Sequence, residues 1–136
     1  MTGTTVTWIA QNLNYKMQGS YAYDEKESNR KELGLLYTWE AAKKACPKGW
    51  HIATDNEWSM LMTKFGGTDN AGTSLKSTVG WDDNGNGTNR SGFNALPGGM
   101  RRPDGSRNLL KVLSVTGGRR RLLIRNISMQ KANLFF

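Results

Sequence analysis

Every tryptophan and every tyrosine in this chain, nine residues in all, lies before residue 100. Between Asn94 and Leu134 there is no aromatic side chain. Aromatic residues bury the most area per side chain, so their distribution says where a core can form. Charge divides at the same place. Residues 1–100 hold ten Lys/Arg and ten Asp/Glu, which cancel. Residues 101–136 hold nine Lys/Arg against Asp104 alone and supply the whole net charge of +8. The two stretches differ in composition as two unrelated proteins would.

A length of 136 residues suits one domain with a single modest core. Only 37% of residues are hydrophobic and 16 are glycine, so many loops and turns are expected. No apolar run approaches the roughly 18–20 residues that span a bilayer. The opening Met1-Thr2-Gly3-Thr4-Thr5 lacks a basic n-region and an apolar h-region, so no signal peptide is visible. The expectation is a cytoplasmic chain, or one whose true start lies upstream. The basic residues Arg101, Arg102, Arg107, Arg119, Arg120 and Arg121 raise a nucleic-acid reading, with salt-sensitive phosphate contacts. No aromatic platform or known motif accompanies them, which disfavours it.

Val6-Thr7-Trp8-Ile9 is β-branched and aromatic and predicts a short strand. Residues 14–34 are polar, with Tyr15, Tyr21 and Tyr23 interleaved, and predict a long surface loop; Asp24-Glu25-Lys26-Glu27 reads as a solvated turn within it. Two helices are better marked. Thr38 caps the first, Trp39 to Ala45, which Pro47 and Gly49 stop. Trp39, Ala42 and Cys46 would share its buried face. The second opens with a capping box, Thr54 to Glu57, and buries Trp58, Leu61, Met62 and Phe65 before Gly66-Gly67 ends it. From Gly66 to Gly105 the chain is rich in Gly, Asn, Asp and Ser, punctuated by Trp81 and Phe93. Those aromatics predict an ordered loop held by anchors.

Cys46 is the only cysteine and cannot form an internal disulfide. Alone it reads as a buried free thiol in a reducing compartment, or as a functional thiol if a base lies near. His51 is the only histidine, so Cys–His catalysis would rest on that one pair.

Several ordered segments stand out as a set along the chain. They are Thr7 to Tyr15, Gly34 to Ala42, Ala45-Cys46-Pro47-Lys48-Gly49-Trp50-His51, and Asp55-Asn56-Glu57-Trp58. Gly80-Trp81, Asn84 to Thr88, and Gly92 to Gly99 complete the set. Together these segments are similar to the Fibrobacter succinogenes major paralogous domain family, and the resemblance covers residues 5–106. It implies a bacterial secreted or surface lipoprotein domain, extracellular or at the cell surface, without an established activity. By analogy it implies an α+β, C-type-lectin-like fold shared with formylglycine-generating enzymes. Two short helices would pack on a small mixed or antiparallel sheet with long Gly/Asn-rich loops.

The departures from the family matter. Members carry a cysteine pair before the first helix, where this chain has Ala22 and Arg30. They end in a tryptophan-rich stretch and a cysteine-bearing strand, the implied partner of Cys46, and nothing after Ser106 resembles that ending. Residues 107–136 therefore read as an atypical basic tail. Ser114 to Leu122 can be encoded so that a one-base shift reads Ser-Tyr-Gly-Trp-Ser-Ser-Ala-Thr, close to the family ending. An out-of-frame tail, and with it a non-functional truncated product, is one expectation. Without a closing strand, Val6–Ile9 would be an unpaired edge in a marginally stable, aggregation-prone chain.

Asp82, Asn84 and Asn86 open a D-x-N-x-N-G pattern of oxygen donors that suits calcium, but Phe93 stands where an EF-hand needs a bidentate Glu. A glycine-rich turn is the plainer reading, and no other cofactor is indicated. Glu40, Asp55 and Glu57 read as acids favoured at helix starts and not as a catalytic set. The formylglycine-generating chemistry needs cysteines late in the chain, which are absent, so no enzyme is expected. The expected role is an extracellular binding or surface-structural module with a glycan or protein partner; a carbohydrate-binding, lectin-like module is the nearest alternative.

Overall fold

The computed structural model describes residues 6–9, 11–101 and 107–108. The chain is a small α+β protein. Its order is β1 (Ser20–Tyr21), a 3-10 turn (Tyr23–Glu25), α1 (Glu27–Leu33), β2 (Leu36–Tyr37), α2 (Trp39–Ala45), α3 (Asp55–Lys64), α4 (Ala71–Leu75), β3 (Met100–Arg101) and β4 (Arg107–Asn108). Among the described residues the strands form two separate antiparallel ribbons, β1 with β2 and β3 with β4, in place of one small sheet. Ser20 pairs with Tyr37 and Tyr21 with Leu36, while Met100 faces Asn108 and Arg101 faces Arg107. An isolated parallel bridge joins Lys76 to Ala95.

Both predicted helices are present, and two more join them. Helix α1 lies inside the stretch expected to be loop. It buries no residue and has no side-chain cap, so it carries no apolar period to read. Arg30 holds it instead: its guanidinium pairs with Glu27 at 2.6 Å and also donates to Asn14. Gly34 ends it with φ 69°, where a Cβ would stand 2.7 Å from the Leu13 carbonyl, so only glycine allows this close approach.

Buried residues form two clusters. Leu13, Leu35 and Tyr37 pack on Ala41, Ala42 and Ala45 of α2. Trp58 and Leu61 of α3 pack on Ala71, Leu75, Phe93 and Ala95. Val6–Ile9 is not a strand, a correction to the expected reading. Its alternation is nevertheless real: Trp8 packs on the second cluster and Ile9 on the first. Ala53 and Ile52 repeat the arrangement, one on each cluster. Each of these pairs therefore sends adjacent side chains to different clusters and ties the two together.

Candidate functional site

The Gly/Asn-rich stretch after α4 is ordered, and its hydrogen bonds explain why. A helix leaves its last carbonyls without intrahelical partners. Thr73 accepts from the Thr88 N–H at 2.7 Å, Ser74 from the Ser91 N–H at 3.1 Å, and Leu75 from the Ala95 N–H at 2.9 Å. Beyond the helix end, Lys76 accepts from the Asn89 N–H at 3.0 Å and Ser77 from the Gly87 N–H at 2.8 Å. The loop therefore wraps the C-terminus of α4 and caps it. Trp81 is buried at its centre, its indole N–H donating to Ser77 Oγ at 3.0 Å and to the Ala95 carbonyl at 3.2 Å. Phe93 is the second anchor, buried against Trp58.

Asp82, Asn84 and Asn86 lie at the exposed turn of this loop. The Asp82 carbonyl accepts from the Gly85 N–H at 2.8 Å, and Asn86 Oδ1 accepts from the Trp81 N–H at 3.0 Å. Pattern reading missed Lys76. The residue is 9% exposed, and its ammonium donates to the Gly85 carbonyl. The same ammonium stands 5.2 Å from the Trp81 ring centroid, a cation–π distance. Burial pulls the Lys76 pKa below that of an ordinary lysine. A calcium ion at Asp82, Asn84 and Asn86 would have to share the turn with this cation. Among the described residues, no group of three or more His, Cys, Asp or Glu side chains is arranged to hold a metal.

Cys46 and His51 have different partners. The Cys46 thiol lies 3.6 Å from the Ala42 carbonyl, and burial pushes its pKa up although an Ile52 backbone bond opposes this. A raised pKa works against formation of the thiolate, the nucleophilic form. His51 Nε2 instead meets both Glu57 oxygens, at 2.9 and 3.2 Å. Glu57 also closes the expected capping box: its Oε2 accepts from the Thr54 N–H at 2.7 Å, and its own N–H donates to Thr54 Oγ1 at 3.3 Å. Burial alone would raise the Glu57 pKa, but the bonds from Thr54 and His51 outweigh it and hold the carboxyl below the usual range. Asp55 is exposed in the first turn of the same helix.

Trp39 is the main departure from the expected burial. It is 57% exposed, whereas Ala42 is buried and Cys46 packs half-buried on the first cluster as expected, with Ala41 and Ala45 beside them. The Lys43 ammonium lies 5.9 Å from its ring centroid and pairs with Glu40 at 2.8 Å. Tyr15 is likewise exposed, at 60%. Ala22 packs half-buried against the first cluster, while Arg30 makes the ion pair that holds α1. The remaining basic residues, Arg102 and Arg119 to Arg121, lie outside the described residues, as does most of the tail 107–136. Among the described residues no helix is long and apolar enough to cross a membrane.

These features define a class: a small α+β domain whose long loops are ordered by buried aromatics and by capping of short helices. Within that class the chain belongs to the Fibrobacter succinogenes major domain family, whose model matches residues 1–114. No curated protein and no solved structure matches the chain.

Proposed function

We propose that this chain is a non-catalytic exported module, acting outside the cell or at its surface by binding, on a C-type-lectin-like scaffold. The observation that carries the reading is Trp39, an indole left largely in solvent by a helix that buries its alanines. An exposed indole is a stacking surface for the apolar face of a sugar ring, and Glu40 and Lys43 beside it offer hydrogen bonds to hydroxyls. A glycan is therefore the favoured ligand class. Family membership fits a surface role through what such domains resemble, and assigns no chemistry of its own.

The test is binding of the folded protein to a panel of soluble bacterial and plant polysaccharides, followed by calorimetry and tryptophan fluorescence. Binding that Trp39→Ala abolishes, with the melting temperature unchanged, supports the reading. Binding unaffected by Trp39→Ala moves the contact elsewhere and removes the carrying observation. Turnover of any glycan would overturn the non-catalytic assignment.

A further inference from the structure

The turn after Trp81 contains two Asn-Gly steps, Asn84-Gly85 and Asn86-Gly87, with the same local chemistry. In a free peptide such a step deamidates readily, because glycine lets its backbone nitrogen swing against the preceding carboxamide. We propose that the fold separates the two, making Asn84 a site of spontaneous deamidation while it protects Asn86.

At Asn86 both reacting groups are held. The carboxamide oxygen accepts from the Trp81 N–H at 3.0 Å, and the Gly87 N–H donates to the Ser77 carbonyl at 2.8 Å. Gly87 is also closely packed, since a Cβ there would stand 2.5 Å from the Lys76 carbonyl and 2.6 Å from that of Thr73. At Asn84 the nucleophile is held in the same way, by the turn bond from the Gly85 N–H to the Asp82 carbonyl at 2.8 Å, an oxygen from which a Gly85 Cβ would stand 2.7 Å, so the two sites differ in the carboxamide alone. The residue is exposed and no described hydrogen bond restrains its carboxamide. The Lys76 ammonium adds a local cation, 3.9 Å from where a Gly85 Cβ would stand. Positive charge there favours the nitrogen anion and the oxyanion that form on attack.

The step balances without an oxidant. Gly85 N bonds to Asn84 Cγ, the carboxamide C–N bond breaks, and ammonia leaves with the proton lost from Gly85 N. Water then opens the cyclic imide at either carbonyl, giving aspartate or isoaspartate and one new negative charge beside Lys76.

The test is peptide mapping by mass spectrometry after incubating the full chain in mildly alkaline buffer, once folded and once in denaturant. In the folded protein Asn84 should convert about tenfold faster than Asn86, a barrier difference of about 1.4 kcal/mol. In denaturant the two rates should converge, which makes the difference a property of the fold. Equal rates in the folded protein, faster conversion at Asn86, or a folded Asn84 that resists while the denatured one converts would each overturn the proposal.

Discussion

The ring centroids of Trp8 and Trp58 lie 4.7 Å apart with their planes tilted by 54°. Phe93 meets both edge-on, at 5.5 and 5.8 Å, so three rings far apart in the chain close one cluster. Such pairs contribute beyond the area they bury. Trp8→Ala should therefore cost about 3 kcal/mol of folding stability, the range for deleting a packed aromatic. Trp8→Phe should recover part of it. Denaturant unfolding measures both, and a cost near zero for Trp8→Ala would mean that the opening segment does not hold the second cluster.

How much of this was legible in the sequence depends on whether each element carries its own signal. Helix α3 has a capping box and an apolar stripe, and it forms where these place it, with Trp58 and Leu61 buried. Helix α1 has neither signal, and its ties to Asn14 and Glu27 are tertiary or charged contacts with no period. At α2 the limits were right and the face was right for Ala42 and Cys46 but not for Trp39. Each residue turns the helix by about 100°, so an inward face that also takes in Ala41 and Ala45 leaves Trp39 at its margin. The D-x-N-x-N turn was visible as a pattern of oxygens. Its ammonium was not, because Lys76 lies nine residues before Gly85 and reaches back only once the loop has folded over α4.

Two glycines separate loop geometry from helix propensity. Gly72 lies inside α4, and a Cβ there would meet nothing within 4 Å. Gly72→Ala should raise stability by about 0.5–1 kcal/mol, because alanine loses less backbone entropy on folding. Gly87→Ala would drive a Cβ into two backbone carbonyls and should cost about 1–3 kcal/mol. Thermal melts of the two variants should shift in opposite directions. A shift of the same sign would show that the loop does not seat on α4 as described.

Glu57 sets an acid limit. Its folded pKa is held below the ordinary 4.5, so its contribution is present above that value and is lost as pH falls through the lower, folded one. Thr54→Ala removes the cap and should cost about 1 kcal/mol at neutral pH. Glu57→Gln keeps the reach to the Thr54 N–H without the charge, so its stability should fall less steeply on acidification than that of the parent. Urea unfolding across the acid range gives the comparison. Parallel curves would assign the acid sensitivity to another carboxylate.

Tyr37 sets the alkaline counterpart. Its hydroxyl donates to the Tyr15 carbonyl at 2.9 Å and accepts from the Tyr15 N–H at 2.8 Å, fastening the segment before β1 to the end of β2. Burial pushes its pKa up to about 12, against the smaller pull of the Tyr15 backbone and Arg30. A raised phenol pKa contributes stability that is complete below the unfolded value of about 10 and lost as pH rises through the folded one. Tyr37→Phe leaves both Tyr15 backbone groups without this partner and should cost about 1–3 kcal/mol at neutral pH. The variant should also lose less further stability between neutral and strongly alkaline pH. Tyrosinate absorbance read alongside unfolding decides the matter: if Tyr37→Phe unfolds on the same alkaline curve as the parent, ionisation of this phenol does not drive the transition.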